Sequence, residues 1–402
     1  LNKEKSPQII LFLTVFLYLV GFGILIPLTP HLSRDMGATS TQAGLLMATY
    51  SFMQFLFSPV WGRWSDRLGR KKILLICLFG EALSYIAFAY ARTLEALFFA
   101  RALTGFFGAS LSTASAAMAD ITGEKDRSKG MALIGAAFGL GFVVGPALGG
   151  GLAVLAEHFS QAPFYRTTFV SLCVSGLFIL TWLFAIKKLP ETLSEEKRKI
   201  SRKSRLFVLA EKLRTPVLSQ VMLTFFLLSL AMSSMEATLV YFMADRFGWT
   251  LKNTSFGFAY IGLILVFTQG FLVRRLLPKI GERKILVFAI PIFAAGMALI
   301  APAHSVALMA ISMTLISLGI GHSNPSLSGA TSLLASATEQ GETLGANQSL
   351  ASLGRILGPS LGGYFYSIDA GLPFLFSTAL GICAWILILA RYKSIPDHAK
   401  VG

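Results

Sequence analysis

Gly62–Lys72 reads GRWSDRLGRKK and lies between two apolar runs. Its pattern is G-x-x-x-D-x-x-G-R-K-K, with Asp66 the single acid among Arg63, Arg67, Arg70, Lys71 and Lys72. Gly62 and Gly69 suit a tight, close-packed turn that a Cβ would obstruct. A basic loop between membrane helices can also do no more than fix orientation. The spacing of Gly62, Asp66, Gly69, Arg70 and Lys71 is more specific than that bland role needs.

The chain on either side of this stretch decides the fold. It has 402 residues, 54% of them hydrophobic and 14% charged. A soluble domain carries about 25% charged residues, so this composition lacks the polar surface of a soluble enzyme. Apolar residues recur in runs of roughly 20, the length that crosses a bilayer as a helix. Twelve such runs are expected, near 9–31, 44–61, 73–91, 94–119, 130–156, 164–187, 217–243, 254–273, 284–302, 305–333, 343–367 and 371–390. The longest polar stretch, with EEKRKISRKSR inside it, separates the sixth from the seventh. The sequence therefore predicts an all-α membrane protein with a six-helix bundle over 1–187, a cytoplasmic linker over 188–215 and a second six-helix bundle over 216–402.

The formal net charge of +15 invites a nucleic-acid partner, but the charges sit in short segments between apolar runs, which favours the membrane. With both termini in the cytoplasm, 28 of the 35 Lys and Arg residues fall on the cytoplasmic side and five on the other. Arg101 and Arg355 are left inside apolar runs. Cys77, Cys173 and Cys383 lie far apart in apolar runs and suggest neither a disulfide framework nor a metal site. No cleavable leader is expected, because Leu1–Pro7 is polar and the first apolar run is too long.

The halves repeat at an offset of 212–214 residues. GRKK at Gly69–Lys72 answers GERK at Gly281–Lys284, GFFGAS at Gly105–Ser110 answers GIGHSN at Gly319–Asn324, and GPALGG at Gly145–Gly150 answers GPSLGG at Gly358–Gly363. Parallel repeats of six helices suit two bundles about a central cavity, although channels can also be duplicated.

The Gly62–Lys72 pattern resembles a signature of the major facilitator superfamily. A second motif, Gly141-x-x-x-Gly145-Pro146-x-x-Gly149-Gly150, resembles the antiporter signature of its drug/proton exporters, with Ala132 where that pattern usually opens on Gly. Glycines four apart also make generic tight helix contacts, and proline bends a helix. The run Gly21-x-Gly23-x-x-x-Pro27-x-x-Pro30, the ADITG stretch and DRFGW at Asp245–Trp249 are similar to tetracycline/proton antiporters. The resemblance implies a twelve-helix exporter of the bacterial inner membrane that moves small amphiphilic compounds against protons by alternating access. It also implies that Gly62, Asp66, Arg67, Gly69, Arg70, Lys71 and Asp120 serve gating, with Arg70 the favoured partner of Asp120 and Asp66 capping a helix of the opposite half. The chain departs from those exporters at Tyr18, where they carry an acid, and at Ser84, one turn beyond Glu81. No acid stands in the ninth run. Tetracycline itself is thus not implied.

Intramembrane ionisable groups are functional candidates by default. Glu236 lies mid-run in MSSMEATLVYF. A lone carboxylate in hydrocarbon is costly when ionised, which suits it to exchanging protons; pairing with Arg101 or Arg355, or binding a cationic substrate, are the other readings. Glu81 either substitutes for the missing acid of the third run or faces a cytoplasmic vestibule. Arg101, followed by Gly105 and Gly108, either serves a proton pathway or snorkels to water. Glu236, Glu81 and Arg101 are the expected proton-coupling residues. Glu236, Arg355, Gln348, Asn324, His322 and Phe138 are the expected cavity residues. Pro325 is expected to break the tenth run beside His322, Ser323 and Asn324, and a plain kink there is the competing reading. Phe22, Phe52, Phe55 and Phe106 are further candidates for an apolar lining.

No catalytic constellation, no G-x-x-x-x-G-K-[ST] loop and no metal-ligand spacing of His31, His158, His304, His322 and His398 is found, so no enzyme activity, cofactor or metal is expected. The expected partners are a small-molecule substrate, protons and the lipid bilayer, with no nucleic acid, and the expected state is a monomer. A transporter of a sugar, siderophore, lipid or metal ion, a uniporter, and a non-transporting membrane sensor remain as alternatives.

Overall fold

In the computed structural model, residues 6–122, 127–160, 162, 164–193, 209, 211–335 and 340–395 are described, and no strand occurs among them. The basic EEKRKISRKSR stretch and the Phe138 side chain lie outside the described residues. Twelve long helices follow one another: α1 (Ser6–Asp35), α2 (Ser40–Leu68), α3 (Arg70–Tyr90), α4 (Leu94–Thr122), α5 (Arg127–Phe159), α6 (Tyr165–Lys188), α7 (Pro216–Phe247), α8 (Leu251–Ile280), α9 (Glu282–Ile300), α10 (Val306–Leu334), α11 (Gln340–Ile368) and α12 (Leu372–Ala390). Eleven combine the length and the apolar character of a membrane span. The other, α11, is long enough but is diluted by Gln340, Glu342, Asn347, Gln348 and Arg355. Two spans are irregular. α4 breaks at Ala109 and Ser110, and α8 passes through a π-helical turn at Thr268–Val273.

Large apolar side chains point outward as well as inward. Phe99 is 63% exposed, Leu180 65% and Phe288 66%, as expected of helices whose outer solvent is lipid. Several polar side chains inside the spans bond their own helix. Ser84, Thr181, Thr224 and Ser323 each donate to the carbonyl four residues earlier, at 2.7–2.8 Å.

The sequence repeat is also a repeat of local structure. Gly69 precedes α3 at φ 104° and Gly281 precedes α9 at φ 84°, a region where only glycine rests without strain. Thr93 and Ser305 cap α4 and α10 in the same way, each accepting a backbone N–H three residues on, from Ala96 and Leu308. Gly145 and Gly358 each lie against another helix's backbone: Gly145 against Val20 and Gly23 of α1, Gly358 against Leu230 and Ser234 of α7. The chain is thus built as two pseudo-symmetric six-helix bundles.

Two expectations are corrected. The turn at Gly62–Lys72 contracts to Gly69 alone, because α2 continues through Gly62 to Leu68 and α3 starts at Arg70. The i to i−4 bonding of α2 outweighs the glycine, and space beside Gly62 is open. Pro325 does not break its helix either: α10 runs continuously from Val306 to Leu334. Proline removes one bond, and the turns around it hold the helix.

By packing, the described residues divide into two compact units. One falls within Leu1–Ala38, Thr49–Ser201 and Trp249–Ala259, the other within Thr39–Ala48, Arg202–Gly248 and Tyr260–Gly402. The first turns of α2 thus pack with the second unit, where Ser40 Oγ donates to the Gly363 carbonyl at 3.0 Å. The first turns of α8 pack with the first unit, where Thr254 Oγ1 lies 3.1 Å from His31 Nε2.

Candidate functional site

The break in α4 frees backbone carbonyls in the middle of a membrane span, where each needs a partner. Side chains of α1 and α2 supply them. Trp61 Nε1 donates to the Phe106 carbonyl at 2.7 Å, and Ser58 Oγ reaches the Ala109 carbonyl at 3.4 Å. The Gly108 carbonyl accepts from Tyr18 Oη and from Gln54 Nε2, each at 3.1 Å. Tyr18 Oη and Tyr50 Oη are 3.1 Å apart, and Gln54 Nε2 also donates to Tyr50 Oη at 3.2 Å.

Glu81 of α3 borders this cluster and is 2% exposed. A Cβ on Gly108 would stand 2.8 Å from each of the two tyrosine oxygens and 3.1 Å from Glu81 Oε1, so the three oxygens converge on that glycine. Arg101 of α4 is equally buried, close enough for its charge to act on Glu81, with its guanidinium 4.9 Å from the centre of the Tyr50 ring. Tyr85 closes the cluster on α3 and stacks on Phe178 of α6. The structure therefore brings two predicted residues, Glu81 and Arg101, together in one buried pocket of polar groups. Ser84 is buried and bonds its own helix.

A second cluster surrounds Gly69. Arg70 is 1% exposed; its Nη2 lies 2.6 Å from Asp66 Oδ1, its Nε 3.2 Å from Asp120 Oδ2 and its Nη1 2.5 Å from Ser65 Oγ. The backbone N–H groups of Arg70 and Lys71 donate to the Glu191 carboxylate at 2.9 and 3.3 Å, an anion at a helix N-terminus. Lys71 Nζ donates to the Ile186 carbonyl at 2.9 Å. Arg67 is exposed at the end of α2. The third group of predicted residues, Gly141, Gly145, Pro146 and Gly149 of α5, packs on Leu19, Gly23 and Ile24 of α1. Its glycines let two backbones approach, which is a packing role the geometry explains directly.

In the second unit, Glu236 of α7 is half-buried and feels the charge of Arg355 on α11. Arg355 Nη2 also donates to Ser352 Oγ at 2.9 Å. Gln348, two turns earlier on α11, is exposed, and Asn324 of α10 is half-buried. His322 Nδ1 donates to the Leu318 carbonyl at 2.8 Å, and its Nε2 is buried with no hydrogen-bond partner among the described residues. Of the apolar candidates, Phe52 is 50% exposed, whereas Phe106 packs on Trp61.

Sequence reasoning missed Tyr50, Gln54 and Glu191, and it treated Tyr18 only as a missing acid. Tyrosines inside apolar runs were a usable signal, since a buried hydroxyl needs a partner. Glu191 carried none, because its partner helix starts far away in the chain.

Two repeated six-helix units with buried ionisable groups define a polytopic membrane transporter. The chain belongs to the Major Facilitator Superfamily, whose family model matches residues 11–279 and 270–401. It is 30% identical over 407 residues to "Multidrug resistance protein 1" of Bacillus subtilis (strain 168), covering all of both chains. It is 31% identical over 417 residues to "Tetracycline resistance protein, class H" of Pasteurella multocida, covering 99% of this chain and 98% of that one. Among solved structures, the human organic anion transporter MFSD10 is 27% identical with a TM-score of 0.73, over 96% of this chain and 100% of that one. A bacterial homologue of the lysosomal transporter Spinster shares the fold at a TM-score of 0.78 and 15% identity, over 97% and 96% of the two chains.

Proposed function

We propose that this protein is a proton-coupled exporter of small amphiphilic compounds, working by alternating access in a bacterial inner membrane, as a monomer with both termini cytoplasmic. The observation that carries the reading is Glu81, a carboxylate buried beside Arg101 and ringed by hydroxyls. Such a group exchanges a proton only when its surroundings change from dry to wet. Glu236 beside Arg355 supplies a second site of the same kind. Full-length similarity to multidrug and tetracycline resistance proteins supports export and a drug-like cargo. Residues 1–187 and 216–402 are the two moving bundles, and 188–215 links them. Asp66, Arg70 and Asp120, with Gly62, Arg67, Gly69 and Lys71, form a gating element that turns with each cycle.

A proton moving inward down 100 mV releases about 2.3 kcal/mol. Competition between proton and cargo for alternative states of the site converts that into export. The test is transport of ethidium and of tetracycline in proteoliposomes under an imposed pH gradient. Accumulation that collapses with the gradient supports the reading; equilibration that ignores the gradient contradicts it. A second reading, export of organic anions, is favoured by Arg355 on α11 and by the human organic anion transporter of similar structure. Competition by anionic dyes against ethidium separates the two.

A further inference from the structure

We propose that the hydroxyls of Tyr18 and Tyr50 read the protonation of Glu81 and pass it to the break in α4, which makes both tyrosines positioning residues for coupling. The inference rests on the reading of Glu81 as a coupling site.

The directions of the hydrogen bonds follow from the donors present. A carbonyl only accepts, so Tyr18 donates to Gly108. That uses the one proton of Tyr18, so Tyr50 is the donor in the contact between the two hydroxyls. The Tyr50 oxygen then accepts from Gln54, whose second N–H returns to the Gly108 carbonyl. Four bonds close a ring through α1, α2 and α4, and the ring clamps the broken helix.

Glu81 Oε1 stands at the edge of this ring, on the same face of Gly108 as both hydroxyls. Among the described residues, the other charged or titratable groups around it are Arg101 from α4 and, on α3 itself, Tyr85 and Cys77. α6 presents Ser175 and Phe178 to this region, neither of them titratable. A neutral carboxyl competes weakly for a hydroxyl already bonded to a carbonyl. An ionised one accepts hydrogen bonds about twice as strong. Loss of the Glu81 proton therefore turns the Tyr18 hydroxyl from the Gly108 carbonyl to the carboxylate. The ring opens, the Gly108 carbonyl loses a partner, and α1 and α2 release the middle of α4. Proton uptake closes the ring again. Nothing covalent changes; one rotating O–H links the charge to the backbone.

The experiment is hydrogen–deuterium exchange of the full-length protein in detergent, read at the amides of Ala109–Leu111 as a function of pH and corrected for intrinsic rates. Wild type is expected to lose protection about tenfold as Glu81 ionises, the size of a lost hydrogen bond or two. Glu81→Gln, fixed in a neutral form, stays protected at every pH. Tyr18→Phe, which removes one partner of the Gly108 carbonyl, is poorly protected at every pH, and Tyr50→Phe, which opens the ring but leaves that carbonyl both partners, loses protection to a smaller extent. Circular dichroism verifies that each variant retains its helices. Protection that is flat with pH in wild type, or unchanged in both phenylalanine variants, overturns the proposal. Gradient-driven transport by Glu81→Gln separates the causes. If that variant has lost coupling while exchange is flat, the tyrosine switch alone is wrong. If it still couples, Glu81 is not a coupling site and the proposal falls with that reading.

Discussion

The carboxylate of Glu191 accepts the backbone N–H of Arg70 at 2.9 Å, which ties the chain just beyond α6 to the first turn of α3. The same carboxylate accepts from Lys71, Thr192 and Leu193. It caps α3 from another part of the chain, beside Gly69, which has no side chain with which to cap α3 locally. Glu191→Ala is expected to cost about 1 kcal/mol, the usual worth of a cap. Glu191→Gln, which keeps an acceptor and loses the charge, costs less. Thermal unfolding in detergent checks both, and equal losses would assign the effect to charge alone.

Arg70 holds Asp66, Asp120 and Ser65 at once from a buried position. Arg70→Ala leaves two carboxylates facing one another without their cation and is expected to destabilise by about 3 kcal/mol. Arg70→Lys does not rescue it, because an ammonium gathers its three donors on one nitrogen and cannot span partners that Nε, Nη1 and Nη2 reach separately. Chemical denaturation is the readout; a lysine variant as stable as wild type would mean that charge and not geometry matters.

The α1–α5 contact depends on missing side chains. A Cβ at Gly145 would stand 2.7 Å from the Gly23 Cα and from the Val20 carbonyl, both backbone atoms that cannot step aside. Gly145→Ala is expected to destabilise by about 1–3 kcal/mol. Gly151→Ala, with nothing within 4 Å of the new methyl, is expected to be neutral or slightly stabilising. Yield and melting temperature of the two variants, measured side by side, decide it.

The repeat makes a paired prediction. Thr93→Ala and Ser305→Ala remove equivalent caps from α4 and α10, so each is expected to cost about 1 kcal/mol. Melting temperatures that fall by unequal amounts would show that the two halves have drifted apart energetically despite their shared geometry.

The apolar runs, their number and the offset between the halves were legible because bilayer thickness imposes a length and duplication leaves a period. Gly69 was legible as a turn because a positive φ selects glycine. The extent of that turn was not: helix bonding carried α2 through Gly62, and no residue between Gly62 and Leu68 opposes it. Pro325 misled because neighbouring turns tolerate one missing bond. The break in α4 has no proline to announce it, and its partners sit on α1 and α2, at separations of 90 and 54 residues. Arg101 and Glu81 were singled out as charges in hydrocarbon, whereas the hydroxyls that surround them looked like ordinary tyrosines.

The most direct test replaces Glu81 and Glu236 by glutamine, singly, and follows proton movement and ethidium transport together in the same proteoliposomes. The account predicts that Glu81→Gln abolishes accumulation under a pH gradient yet still exchanges ethidium across the membrane when no gradient is imposed. Glu236→Gln is expected to weaken the accumulation. Undiminished gradient-driven accumulation by Glu81→Gln would contradict the claim that this buried carboxylate carries the coupling proton.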